Sequence, residues 1–141
     1  MSFLGKVKKK LRNGSWYPFY NTFYEKNNLD PHMILLESRS GKALESNILS
    51  LLKELCQEPY RSFTLVLSVH RDSENEIKEK LQKNSIQGVH FVRTGSVAYY
   101  RALSRAGYLV NDTSFPGRFI KKEGQIYLNT WHGTPLKKMG R

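Results

Sequence analysis

The sequence holds one cysteine, Cys56, in 141 residues, so an intrachain disulfide and a cysteine-rich metal site are both excluded. That thiol sits among leucines on an expected helix and reads as inert and partly buried. No apolar run reaches the roughly eighteen residues that a membrane-spanning helix needs. The amino terminus lacks the apolar core and small-residue cleavage site of a secretory signal, so a cytoplasmic location is expected. His70 and His90 have no second His or Cys at ligand spacing, and both are expected to be structural, with no metal site. A Gly-x-Gly-x-x-Gly pattern is missing after the first expected strand, which argues against a nicotinamide enzyme, and no cofactor is expected. Acids are also scarce: 12 Asp and Glu stand against 23 Lys and Arg, for a net charge of +11. A balance this basic implies an anionic partner, with nucleic acid, an acidic polymer and an anionic membrane surface as the candidates.

What is present suffices for one domain of ordinary size, with 39% hydrophobic residues, 8 Tyr and 7 Phe. From Pro31 the chain alternates strands and helices. Met33-Ile34-Leu35-Leu36-Glu37 reads as a buried strand ended by Ser38-Arg39-Ser40-Gly41. Lys42 to Gln57 reads as a helix with Leu44, Ile48, Leu51, Leu52 and Leu55 on one face, stopped by Pro59. Phe63 to His70 is the clearest strand. Ser73 is placed to cap a charged helix running to about Lys83, with Ile77 and Leu81 facing inward. Val89 to Arg93 is a third strand, and Ser96 to Ala106 a third helix closed by Gly107. Tyr108 to Asp112 and Gln125 to Trp131 complete five strands. This rhythm predicts an α/β fold, a Rossmann-like parallel sheet with helices on both faces.

In open parallel sheets, ligands bind beyond the carboxyl ends of the strands. Those ends carry Glu37 to Ser40, Ser68 to Arg71, Arg93 to Ser96, Asn111 to Ser114 and finally His132-Gly133-Thr134. The last strand leads into Trp131-His132-Gly133-Thr134-Pro135, where Gly133 permits a tight reversal, Thr134 can cap a helix and Pro135 suits its first position. A helix mouth attracts phosphate, and Lys137 and Lys138 add cationic charge at the end of the dipole where cations are least favoured without a bound anion. His132 beside such a site has the near-neutral pKa that a general base for hydroxyl attack on phosphorus requires. The plainer reading, a hydrogen-bonded packing histidine next to Trp131, stays open on the residues alone. Arg93, Gly95 and Ser96 form either a second anion cradle or an ordinary loop. Asp112 either orients a histidine or caps a turn.

The first 27 residues differ from the rest. Lys6, Lys8, Lys9, Lys10 and Arg12 place five positive charges in twelve residues, with Phe3, Leu4, Val7 and Leu11 at helical spacing. Trp16, Tyr17, Phe19, Tyr20, Phe23 and Tyr24 follow around Pro18. A basic amphipathic stretch beside aromatics has the composition of a membrane-interface element, and each basic residue near an anionic leaflet contributes on the order of 1 kcal/mol. A structural arm whose aromatics cover the core, and a single-strand nucleic-acid binder, are the other readings.

Trp131-His132-Gly133-Thr134-Pro135-Leu136-Lys137 resembles the signature of the CDP-glycerol glycerophosphotransferase family, the teichoic-acid and capsule polyol-phosphate polymerases and primases of bacteria. The likeness extends through Tyr99-Tyr100, Ala106 to Asp112, Phe115-Pro116 and Gly124-Gln125. The resemblance implies the amino-terminal half of a GT-B transferase, with His132 as base on the terminal hydroxyl of a lipid-linked polyol-phosphate or glycan acceptor. That hydroxyl would attack CDP-glycerol or CDP-ribitol at the phosphorus next to the polyol, releasing CMP; the place of Gly133, Thr134 and Lys137 near the phosphate rests on their position in the chain more than on the resemblance. It also favours peripheral attachment at the inner face of the plasma membrane over nucleic acid, with Lys6 to Arg12 and Trp16 as membrane contacts. The expected organisation is a segment 1–27 and a Rossmann-like acceptor-side domain 28–141. Because the chain stops six residues after Pro135, the nucleotide-binding domain and its second catalytic histidine are expected to be missing, and the 141 residues are expected to be inactive alone. A non-catalytic membrane- or polymer-binding module, or a sugar-nucleotide glycosyltransferase of the same fold, are the alternatives.

Overall fold

The computed structural model describes residues 28–116, 119 and 121–130. Lys6, Lys8, Lys9, Lys10, Arg12, Trp16, His132, Gly133, Thr134 and Lys137 lie outside the described residues. Among the described residues there are five strands: β1 (Asp30–Glu37), β2 (Thr64–Val69), β3 (Val89–Arg93), β4 (Ala106–Asn111) and β5 (Ile126–Asn129). Three helices connect them: α1 (Ser46–Leu55), α2 (Glu74–Lys83) and α3 (Val97–Arg105). All pairings are parallel, and the sheet runs β3-β2-β1-β4-β5. The fold is α/β and Rossmann-like, as the alternation of periods predicts.

The two faces of the sheet carry separate cores because side chains alternate along each strand. Ile34, Leu36, Leu65, Leu67 and Val110 meet Ile48 and Leu52 of α1 and Ile77 and Leu81 of α2 on one face. Leu35, Val66 and Leu109 meet Tyr99, Tyr100 and Leu103 of α3, with Phe115, on the other. Leu35, Leu36, Ile48, Leu52, Tyr99 and Leu109 are fully buried, which is where most of the hydrophobic stabilisation resides.

Several boundaries differ from the sequence reading. The first helix begins at Ser46 rather than Lys42, because Arg39 (φ 48°), Ser40 (φ 55°) and Gly41 (φ 80°) turn the chain through left-handed conformations first. Ser73 makes no side-chain cap; a 3-10 turn over Arg71–Ser73 intervenes, and the His70 ring accepts the Asp72 N–H instead. His70 is thus a turn-capping residue.

Gly107 does not close the third helix. The chain passes from α3 straight into β4, and Gly107 lies within that strand. A Cβ there would stand 2.7 Å from the Asp30 carbonyl oxygen and 3.0 Å from the Pro31 Cα. The glycine therefore serves a close approach of two strands rather than a helix stop. β5 spans only Ile126–Asn129. Its entry is fixed by Gln125, whose buried amide donates to the Leu103 and Ala106 carbonyls and accepts from the Lys122 N–H, each at 2.8–2.9 Å.

Candidate functional site at the carboxyl edge of the sheet

Because every strand runs the same way, all five polar strand ends gather on one edge. In register across it stand Ser68 of β2, Glu37 of β1, Asn111 of β4 and Asn129 of β5. These side chains continue the rows of Leu35, Val66 and Leu109, so they point to the α3 face.

The loops above this row are tied to one another by specific hydrogen bonds. Asp112, only 2% exposed, accepts from the Ser38 hydroxyl and from the Arg39 N–H, both at 2.8 Å. The Ser38 oxygen in turn accepts from the Glu45 N–H at 3.3 Å, and Arg39 pairs with Glu45 at 3.5 Å. Of the two roles open for Asp112, the described contacts show the turn-fixing one. Next to it, the Gly41 carbonyl accepts the His70 N–H at 2.6 Å. A Cβ on Gly41 would collide with the Thr94 hydroxyl and stand 2.8 Å from the His70 nitrogen. Glycine is thus required where the β1 loop crosses the ends of β2 and β3. Ser68 and Thr94 share a hydroxyl hydrogen bond of 2.9 Å.

At β5 the same pattern continues. The Tyr127 hydroxyl donates to Asn111 Oδ1 at 2.8 Å, and Asn129 donates to the Thr113 carbonyl at 2.6 Å. The Thr130 N–H donates to the Asn111 carbonyl at 2.8 Å. Phe115 and Phe119 pack on the Tyr127 ring at 5.4 and 6.3 Å between centroids. The last described residue before the Trp-His-Gly-Thr-Pro stretch is therefore anchored to Asn111, the end of β4 and the neighbour of Asp112.

Glu37, which the sequence reading places among the polar strand ends without a role of its own, stands out in the structure. It is buried at 1% exposure in the centre of the row. Burial pushes its carboxyl above the ordinary carboxylate range; Ser68 and Tyr99 oppose that push and the charge of Asp112 adds to it. The Tyr99 hydroxyl lies against Glu37 without a well-aligned hydrogen bond, and burial, with the Glu37 charge next, drives its own pKa upward. Glu37 Oε2 and Asn111 Nδ2 are buried and unpaired. The available signal was a glutamate two residues after Leu35 in an apolar strand, which must share that residue's face.

Arg93 and Ser96, the expected second cradle, are engaged with opposite sides of the sheet. Arg93, on β3, reaches Glu74 of α2 at 3.4 Å. Ser96 caps α3, its hydroxyl oxygen accepting the Tyr99 N–H at 3.2 Å. A hydrogen bond and charge from Lys78, supplemented by Arg93, hold the Glu74 carboxyl below its ordinary range.

The model of one family, described as CDP-glycerol:poly(glycerophosphate) glycerophosphotransferase, matches residues 19–141. The chain belongs to that family. It is 31% identical over 120 residues to a teichoic acid poly(glycerol phosphate) polymerase of Staphylococcus epidermidis, a match covering 85% of this chain and 15% of that protein. It is 27% identical over 135 residues to a teichoic acid glycerol-phosphate transferase of Staphylococcus aureus, covering 95% of this chain and 32% of the relative. Among solved structures, the wall teichoic acid polymerase TagF soaked with CDPG superposes with a TM-score of 0.70 at 26% identity, over 97% of this chain and 34% of that one. The chain thus spans between 15% and 34% of the length of these relatives. The glycerophosphotransferase-family assignment covers both the described carboxyl edge and the Trp-His-Gly-Thr-Pro stretch that follows it.

Proposed function

We propose that this chain is the acceptor-side part of a CDP-glycerol glycerophosphotransferase acting in teichoic-acid or capsule synthesis. The observation that supports it most is the family match continuing through residue 141, over a fold whose loop-bearing edge leads from Thr130 directly into Trp131-His132. His132 acts as the general base. It takes the proton from the acceptor's terminal hydroxyl as that oxygen bonds to the phosphorus beside glycerol; the bond from that phosphorus to the bridging oxygen breaks, and CMP leaves.

Gly133 and Thr134 present backbone donors to the developing phosphate charge, and Lys137 adds a cation. Arg93 exchanges its ion pair with Glu74 for the anion, and Ser96 donates the hydroxyl proton that its cap leaves available. Asp112 holds the β1 loop and, through it, the acceptor side of the site. The acceptor is a lipid-linked polyol phosphate or glycan, and the donor is CDP-glycerol or CDP-ribitol, bound mainly by a domain outside residues 28–141. No helix among the described residues is long and apolar enough to cross a membrane. The basic residues Lys6, Lys8, Lys9, Lys10 and Arg12, with Trp16, hold the enzyme peripherally on the anionic inner leaflet.

The test offers the longer natural protein that carries this chain CDP-glycerol, CDP-ribitol and UDP-sugars with a lipid-linked acceptor, and measures nucleotide release. CMP release from a CDP-polyol supports the assignment. Release of UDP from a UDP-sugar alone, or of no nucleotide, overturns it.

A further inference from the structure

Among the described residues, nothing covers an apolar strip of the sheet on β5. Helices α1 and α2 pack on one face of the sheet, while α3 and Phe115 pack on the other. The chain order explains the division: connections through β1, β2 and β3 occupy the first face, and those leading to β4 and β5 occupy the second. Among the described residues, no connection therefore passes over β5 on the α1 face. There Ile126 is 56% and Leu128 51% exposed. Strands of a parallel sheet ordinarily have both faces covered.

Ile126 and Leu128 line a groove of about 290 Å³, together with Leu51, Leu55, Tyr60 and Phe63. None of the residues lining it is charged. Toward the amino ends of the strands, Tyr108 and Ile126 are shared with a second cavity of about 280 Å³ bordered by Leu29 and Pro31. The two form one trough, and the described chain begins at its amino-terminal mouth.

The chain preceding that mouth has a matching composition. Residues 13–24 carry no charge and include Trp16, Tyr17, Phe19, Tyr20, Phe23 and Tyr24. Three residues separate Tyr24 from Asn28, a span of up to about 14 Å between the two Cα atoms. A chain of that length can bring Tyr24 to the Leu29 cavity and the residues before it to the groove. Each aromatic side chain that enters removes on the order of 150–250 Å² from water.

We propose that the uncharged aromatic run Tyr17–Tyr24 of this same chain covers β4 and β5, seating its rings in the trough between Leu55, Phe63, Ile126 and Leu128. The basic stretch Lys6–Arg12 then stays outside the uncharged groove, available to solvent or an anionic surface.

The test uses the full chain carrying Cys56→Ser, so that an introduced thiol is the only one. Leu128→Cys is expected to react with a maleimide at least about tenfold more slowly than Gln82→Cys on the exposed side of α2, a protection that reports local cover. Combining Leu128→Cys with Phe19→Ser, Tyr20→Ser and Phe23→Ser should restore the Gln82→Cys rate. Ala102→Cys, on the buried face of α3, should stay protected in that variant, showing that the fold survives. The proposal is overturned if Leu128→Cys reacts at the exposed rate from the start, or if its protection survives the three aromatic substitutions. Protection that disappears on dilution would assign the strip to a second copy, and protection appearing only with anionic vesicles would assign it to a membrane; either result also overturns the proposal.

Discussion

Removing the Asp112 carboxylate should loosen the carboxyl edge by an amount that the described contacts allow to be worked out. Asp112→Ala takes away the acceptor of two 2.8 Å hydrogen bonds, leaving the Ser38 hydroxyl and the Arg39 N–H without it. A donor deprived of a buried partner costs about 1–2 kcal/mol, so the pair should cost about 2–4 kcal/mol. Relief of the repulsion between Asp112 and Glu37 offsets part of this only when Glu37 is ionised. With a urea slope of about 1.5 kcal/mol/M, the midpoint should fall by roughly 1.3–2.7 M. Asp112→Asn should be milder. Its oxygen can keep the Arg39 N–H while its amide donates to the Ser38 oxygen, so the loss is confined to the charge and to the acceptor of one Ser38 proton, about 1–2 kcal/mol. A double-mutant cycle with Ser38→Ala should show coupling of about 1 kcal/mol. An Asp112→Ala protein within about 0.5 kcal/mol of the parent, the range of an inconsequential surface change, would refute this reasoning.

Four further outcomes are expected. Burial raises the Glu37 pKa from 4.5, so the folded chain keeps a proton that the unfolded chain releases. Stability is therefore lost as pH rises from about 4.5 through the raised value. Glu37→Gln removes that loss, and its stability relative to the parent should grow across this window in urea midpoints; a difference independent of pH would contradict the assignment. Gly107→Ala should lower Tm by several degrees, since its Cβ meets β1 backbone at 2.7 Å and the strands must separate at a cost of about 1–3 kcal/mol. An unchanged Tm would show that the close approach carries no energy. Maleimide protection of Leu128→Cys tests the aromatic cover, as described above. Loss of CMP release in His132→Ala tests the base.

The parts of the fold that were legible in the sequence are those set by local periodicity. Ile77 and Leu81 four apart, and the unbroken apolar run through Leu67, report burial without reference to distant residues. What stayed hidden depends on pairing between distant segments. Gly107 carries a helix-stop signal, yet its reason is Asp30, which meets it only because β4 lies beside β1. Gly41 is explained by Thr94 and His70 in the same way.

Asp112 was recognisable as a polar strand end, but its partners Ser38 and Arg39 lie more than seventy residues away. Glu37 reads as part of the buried first strand and as one of the polar strand ends, but its burial as an acid is not singled out there. That burial depends on following the alternation from Leu35 one step further and on Tyr99 and Asp112 from distant segments. The gathering of polar ends on one edge, by contrast, follows from parallel strands alone. His132 was singled out by its motif and not by its surroundings.

The most direct measurement is CMP release by the longer natural protein carrying this chain, with CDP-glycerol and a lipid-linked acceptor, beside its His132→Ala variant. The account predicts a fall of about 10²–10⁴-fold, the usual contribution of a positioned general base, with unchanged circular dichroism and thermal midpoint. A folded His132→Ala enzyme releasing CMP at the parent rate would contradict it.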